Sequence, residues 1–298
     1  TWCWGVRPNQ YFPSLSVPEI LSKGQESLLL LLLYVNKCTK ARREEGILSQ
    51  NIKLEKEWGM ATLTLNRPER LNLINQGMIN ELGEVVEELE KDKDIRVIII
   101  TGAGDRAFTA GIDVNEMKDL EVTSAKEFIS QLHYAIKGVR DLDKVTIAAI
   151  NGFCFGGGCE LAMACDLRIA SENAQIGLPE IKVGIPSVIE AALMPLLIGM
   201  GRARELILLG EPIKANEAKR IGLINKVVPL DKLKGTVKEI TDKILSYSPT
   251  AMKMQKRILN QWLPSEIQTA IDYSIDAFSQ CFATDEPKEA MTAFLEKL

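Results

Sequence analysis

This sequence is short of histidine: His133 is the only one in 298 residues. That scarcity removes every serine or cysteine mechanism that needs a histidine base unless His133 itself serves, and no Gly-x-Ser-x-Gly accompanies it. His133 is expected on a helix surface. The six cysteines (Cys3, Cys38, Cys154, Cys159, Cys165 and Cys281) contain no Cys-x-x-Cys pair. Three of them lie in one apolar stretch, where buried free thiols are expected, which points to a reducing compartment, the cytoplasm. Excess charge is lacking too. A net charge of -4 gives no overall positive field to draw in nucleic acid or anionic lipid. Nor is there a membrane-length run: the apolar stretch Leu28 to Val35 falls far below the ~18 to 20 residues that span a bilayer, so no stable membrane insertion is expected. What remains, 46% hydrophobic and 26% charged residues, is ordinary for a soluble globular protein with one large domain and a small appendage.

Three segments differ in character. Residues 1–47 combine Trp2, Trp4, three prolines, the leucine run and the basic Lys37, Lys40, Arg42 and Arg43, and they carry no catalytic motif. They are expected to be a non-core extension, with an upstream translation product and part of a truncated chain both left open. From residue 48 to 229 strands and helices alternate. Met60 to Leu65 alternates apolar and polar residues like a half-buried strand, ended by Asn66-Arg67-Pro68. Met78, Leu82, Val85, Val86 and Leu89 recur at helical spacing, opposite the acidic Glu84, Glu87 and Glu88. Val97 to Ile100 and Val145 to Ile150 are β-branched runs suited to strands buried on both faces, and each is followed by glycines. The alternation predicts an α/β core. Past Pro229 helical signals dominate, with Val237, Ile240 and Ile244 on one face, so residues 230–298 read as a separate helical appendage whose apolar positions need a partner surface.

Two glycine turns draw attention, because without side chains they leave backbone N–H groups open to a ligand. The first is Phe108-Thr109-Ala110-Gly111-Ile112-Asp113, the second Gly156-Gly157-Gly158-Cys159-Glu160. On its own a glycine triplet more often marks close packing or a tight turn. Glu160 opens the otherwise apolar run Leu161-Ala162-Met163-Ala164, where an acidic side chain is either a partner of the helix dipole or a site residue. Glu180, in Gly177-Leu178-Pro179-Glu180, carries the same two readings.

From about Leu54 to Lys297 the chain resembles the crotonase (enoyl-CoA hydratase/isomerase) superfamily, with motifs in register over more than four fifths of its length. Asn66-Arg67-Pro68-Glu69-Arg70-Leu71-Asn72 is similar to the family's coenzyme A-binding segment. Ala107 to Asp113 and Asn151 to Ala162 resemble the two halves of its oxyanion hole, and Pro179-Glu180-Ile181 the segment with its second catalytic acid. Cys165-Asp166-Leu167-Arg168-Ile169-Ala170, Ala218 to Leu223, Ser248-Pro249, Phe282-Ala283-Thr284-Asp285 and Ala293-Phe294-Leu295-Glu296-Lys297 complete the match.

The resemblance implies a spiral of strand-strand-helix turns, then a helical segment that docks trimers, often paired into hexamers. It implies hydration of 2-enoyl-CoA thioesters to 3-hydroxyacyl-CoA, in fatty acid β-oxidation or related acyl-CoA metabolism. Glu160 and Glu180 would be the acid and base, and the N–H groups of Ile112 and Gly157 would hold the thioester oxygen. Ala110, Gly111, Asp113, Gly156 and Asn72 would line the substrate path. Arg70 and Lys297 are candidates for the coenzyme A phosphates, with a solvated surface role equally open. No metal or redox cofactor is expected. Members with one of the two carboxylates tend to isomerise, hydrolyse or dehalogenate instead, so retention of both favours hydration. An isomerase, or a hydratase or lyase for aromatic or cyclic enoyl-CoA, is the alternative, and a non-catalytic acyl-CoA scaffold stands further off. Two departures bear on acyl specificity. Where most hydratases read Pro-Gly-x-Gly-Gly-Thr-Gln-Arg-Leu, this chain has Pro186-Ser187-Val188-Ile189-Glu190-Ala191-Ala192-Leu193, and the usual Asn-Ala-Leu-Asn is Asn72-Leu73-Ile74-Asn75. Glu190 is open between a third site carboxylate and a capping or surface role.

Overall fold

The structure, a computed structural model, describes residues 51–262 together with Ser265 and Thr269. The expected extension over residues 1–47, Lys297, and Cys3, Cys38 and Cys281 lie outside the described residues.

Buried β-branched runs become the spine of the fold. The chain begins with β1 (Ile52–Glu57), β2 (Met60–Leu65) and α1 (Gln76–Lys91). Next come β3 (Val97–Gly102), β4 (Ala107–Thr109), the short α2 (Val114–Met117) and α3 (Val122–Asp141). A second turn supplies β5 (Val145–Ile150), β6 (Phe153–Phe155) and α4 (Gly157–Ala164), and a third β7 (Leu167–Ser171), β8 (Gln175–Gly177), α5 (Met194–Ile198) and α6 (Met200–Leu209). β9 (Ile213–Lys214), α7 (Ala215–Arg220), β10 (Lys226–Val228), α8 (Leu230–Leu245) and α9 (Pro249–Trp262) follow. Successive turns lay one strand on each of two sheets. The larger has the order β1-β2-β3-β5-β7-β10 and the smaller β4-β6-β8-β9. Beyond the antiparallel β1–β2 hairpin, the large sheet is parallel throughout, as helical crossovers require. This is the spiral of strand-strand-helix turns that the motifs implied.

Helix α1 shows how the sequence specifies an element. Asn75 caps it, its side chain accepting from the Met78 N–H at 2.8 Å. Met78, Ile79, Leu82, Val85, Val86 and Leu89 are all buried, each contributing about 1.5 to 3 kcal/mol, whereas Glu84 and Glu87 face solvent. Two buried asparagines fix the corners between the sheets. Asn151 donates to the Gly102, Gly104 and Ala107 carbonyls at 3.0, 2.8 and 3.1 Å and accepts from the Gly102 N–H at 3.2 Å. Asn72 accepts from the Arg67 N–H at 3.0 Å and donates to the Ala103 and Ala107 carbonyls at 3.0 and 2.8 Å. The start of β4 at Ala107 and the corner just ahead of β6 are thereby held.

The described part of the helical region past Pro229, α8 and α9, packs on its own chain. Leu233, Val237 and Ile244 of α8 are buried in one cluster with Val97, Ile99, Val145, Ile147, Ala149 and Ile169 of the large sheet, and Ile240 packs against them. Lys256 of α9, 3% exposed, reaches the Asp166 carboxylate at 2.9 Å and the Lys144 carbonyl at 2.7 Å. The beginning of this segment covers its own chain's sheet. Periodicity reveals that a helix has an apolar face, not what covers it.

Candidate active site

Three consecutive turns of the spiral meet at two glycines. Gly156 sits at φ 52 and ψ -128, backbone that a residue with a side chain rarely adopts, and this lets the chain swing from β6 straight into α4. Space is as restrictive as conformation. A methyl group on Gly156 would come within 3.2 Å of Glu180 Oε1 and 3.8 Å of Gly111 Cα, and one on Gly111 within 3.1 Å of the Phe155 carbonyl oxygen. The Gly111-Ile112 step, the Gly156-Gly157 step and Glu180 therefore converge. Among the described residues, no protein acceptor takes the N–H of Ile112 or of Gly157. The surroundings are apolar: a methyl on Gly157 would touch Ile112 Cγ1 and Leu132 Cδ2, both at 3.4 Å, and Ile74 Cδ1 at 3.6 Å.

Glu160 stands in the first turn of α4, only 2% exposed, between this glycine junction and the turn Ile189–Leu193. Burial pushes its carboxyl well above the usual range, and the nearby charges of Glu180 and then Glu190 push the same way. One group opposes them: the Ala191 N–H donates to Glu160 Oε1 at 3.2 Å. Glu180 is partly buried at the start of the turn Glu180–Val183. Burial raises it as well, against its own backbone N–H and the Ser187 hydroxyl, which donates to Oε2 at 2.8 Å. Two carboxyls that both favour protonation, set beside two unpaired amides at the positive end of a helix, can move protons next to a stabilised oxyanion. Among the described residues, no group of three or more His, Cys, Asp or Glu is arranged to hold a metal ion.

The profile of the enoyl-CoA hydratase/isomerase family matches residues 55–298. The chain belongs to that family. It is 44% identical to the short-chain-enoyl-CoA hydratase of Clostridium acetobutylicum over 248 residues, 83% of this chain and 95% of that one. Over 249 residues it is 42% identical to the crotonyl-CoA hydratase of Syntrophomonas wolfei, covering 83% and 96% of the two chains. The crystal structure of an enoyl-CoA hydratase from Bacillus anthracis superposes with a TM-score of 0.80 at 34% identity, over 83% of this chain and 97% of that one. The fold is crotonase-type.

Within the enoyl-CoA hydratase/isomerase frame, the remaining expected site residues separate. Ala110 continues into the glycine turn and is fixed by its N–H to the Leu71 carbonyl at 3.0 Å. Arg70 is close to half exposed and pairs with Asp113 at 3.0 Å, a geometry that leaves guanidinium surface facing solvent. Asp113 is turned toward protein partners. It is 4% exposed, and its carboxylate accepts from the Asn115 backbone and side chain and faces both Arg70 and Arg67. Burial would raise it, but the Asn115 hydrogen bonds and then the two arginines outweigh that and hold it below the usual carboxylate range. Asn72 is likewise turned into the protein. It is fully buried, with its amide engaged by the Arg67 backbone, Ala103 and Ala107. A short polar residue inside a matching motif looks the same in sequence whether it touches ligand or staples the loop beneath.

Glu190 and His133 are connected in the structure. Glu190 is neither capping nor on the surface: it is 2% exposed in the turn Ile189–Leu193. His133 is on a helix and its side chain is 34% exposed, with Nδ1 at 3.0 Å from Glu190 Oε1 and 3.2 Å from Oε2. Arg140, two turns along α3, is 3.6 Å from Glu190 Oε1. Ser187 and Ala191 were also unforeseen. The only available signal was a lone acidic residue in an apolar run together with a lone histidine, and nothing in the spacing couples two residues 57 positions apart.

Proposed function

We propose that this chain hydrates short-chain 2-enoyl-coenzyme A thioesters to the 3-hydroxyacyl-CoA. The observation that carries the reading is the convergence of Glu160 and Glu180 on the junction that also exposes the Ile112 and Gly157 N–H groups. The thioester oxygen would lie between these two amides, each stabilising a developing enolate by about 3 to 4 kcal/mol. Water would be held between the carboxyls. One carboxylate takes a proton from it as the hydroxide bonds to the β-carbon, and the other, in its acid form, delivers a proton to the α-carbon. The pair as a whole neither gains nor loses a proton. The step is redox-neutral, and coenzyme A enters only as part of the substrate, so no cofactor is assigned. Short acyl chains are favoured by the likeness to a short-chain and a crotonyl-CoA hydratase.

Arg70, steadied by Asp113, is assigned to the coenzyme A phosphates. Leu196, Met200, Leu208 and Leu209 expose large apolar side chains on α5 and α6, which supports assembly into trimers or hexamers. Buried free thiols at Cys154, Cys159 and Cys165, with Cys165 pushed up to about 12 by burial, support a reducing compartment such as the cytoplasm. Among the described residues no helix is long and apolar enough to cross a membrane. The test is a panel of 2-enoyl-CoA and 3-enoyl-CoA thioesters of rising chain length, followed by enone-thioester absorbance. Loss of absorbance with four- to six-carbon 2-enoyl substrates is expected. Turnover of 3-enoyl substrates alone would make the protein an isomerase.

A further inference from the structure

The turn Ile189–Leu193 is held in an unfavourable backbone. Ile189 is at φ 42, left-handed territory that costs a β-branched residue about 1 to 3 kcal/mol, so its surroundings must impose it. The residue that follows supplies the constraint. Glu190 is buried against α3, with His133 Nδ1 at 3.0 Å from its Oε1 and Arg140 at 3.6 Å, while Met194 and Ala191 are buried beside it. The next N–H, that of Ala191, donates both to the Val188 carbonyl at 2.9 Å and to Glu160 Oε1 at 3.2 Å. One anchored carboxylate and one directed amide are thus adjacent in the chain.

We propose that Glu190 is a positioning residue for Glu160: tied to His133 and Arg140 of α3, it locks the turn so that the Ala191 N–H stays aimed at the Glu160 carboxyl. The inference rests on the catalytic assignment of Glu160. It explains why a buried acid is tolerated beside two others. Unpaired, Glu190 would be a costly buried charge, whereas paired it fixes the rotamer of Glu160 and leaves the second oxygen of that residue for water. The charged and titratable groups around Glu190 are His133 and Arg140 from α3 and Glu160 from α4. Asp141 and Lys137 pair beyond Arg140 at the surface, Glu180 acts through Glu160, and α5 contributes none.

The experiment compares Glu190→Ala, Glu190→Gln, His133→Ala and Glu160→Gln in crotonyl-CoA hydration, with kcat, KM, the pH profile of kcat, melting temperature and butyryl-CoA affinity. Glu190→Ala is expected to lower kcat about tenfold or more with KM and butyryl-CoA affinity within about threefold, as expected when a reacting group is misplaced. Glu190→Gln can still accept from His133 and Arg140 and should recover most of kcat. Both substitutions remove one negative charge, but only alanine releases the amide that favours ionised Glu160. The alkaline limb of the profile should therefore lie at higher pH in the alanine variant than in the glutamine variant. His133→Ala should fall between the parent and Glu190→Ala, and it decides the matter if Glu190→Ala does not fold. A lowered melting temperature with unchanged kcat in these variants, or equal losses and coincident limbs for alanine and glutamine, would overturn the proposal while leaving the site intact. If Glu160→Gln itself keeps full kcat, the reading of the site falls and the anchor with it.

Discussion

Glu160 shows how a residue can be selected against stability. Its carboxyl is raised by burial and by the neighbouring carboxylates, so the folded chain holds a proton that the unfolded chain releases once the pH passes the ordinary glutamate value of 4.5. Stability contributed by the neutral form is therefore complete below that value. It is lost as pH rises from there through the raised folded value. Glu160→Gln cannot ionise and should melt at a higher temperature than the parent near pH 8 but at nearly the same temperature near pH 4. A variant that melts lower at both pH values would mean that the carboxylate is a favourable structural charge. Asp113 has the opposite sign. Its folded value is depressed, so its contribution is present above the ordinary aspartate value of 3.8 and lost as pH falls through the lower folded one. Asp113→Asn should loosen Arg70 and raise KM for coenzyme A thioesters several-fold while kcat changes little, since neither member of the pair bonds to either carboxyl.

Between residue and fold stand the corners that bring loops together. Gly156→Ala would put a methyl at φ 52 and within 3.2 Å of Glu180 Oε1, combining backbone strain with displacement of a reacting group. We expect kcat to fall by about ten- to a hundredfold, with a crystal structure or pH profile showing Glu180 moved. Asn72→Ala is expected to act differently. Removing a fully buried amide that makes three hydrogen bonds should cost about 2 to 3 kcal/mol in urea unfolding and leave KM of the folded enzyme nearly unchanged. A KM effect without a stability loss would return Asn72 to the substrate path. These corners also mark what was legible in advance. The strands Met60–Leu65 and Val145–Ile150 and the apolar face of α1 could be read from period and composition, because burial on a strand or helix repeats locally. Glu160, Glu180 and the glycine turns stood out through their motif context. The Asn72 staple, the pairing of His133 and the clamp on Glu190 could not be read, since each depends on residues distant in sequence whose meeting only the finished spiral decides.

On the scale of the whole molecule, the spiral gives each sheet one strand per turn, so the loops leaving β4, β6 and β8 stack and place their functional groups in one layer. The segment past Pro229 covers a face of the large sheet with α8, and large apolar side chains on α5 and α6 are exposed. Light scattering at micromolar concentration should give a trimer or hexamer, and a monomer would refute that assignment. A chain starting at Leu48 should remain soluble and fully active, and insolubility or inactivity would give residues 1–47 a role in the fold. The central claim is that Glu160 and Glu180 act together on one bound enoyl thioester, and crotonyl-CoA hydration by the two single glutamine variants and the double variant, alongside butyryl-CoA binding, tests it most directly. The account predicts that each single change lowers kcat by about 10²- to 10⁴-fold with binding retained, and that the double variant loses far less than the product of the two. Retention of more than a tenth of the parent kcat by both single variants would contradict it.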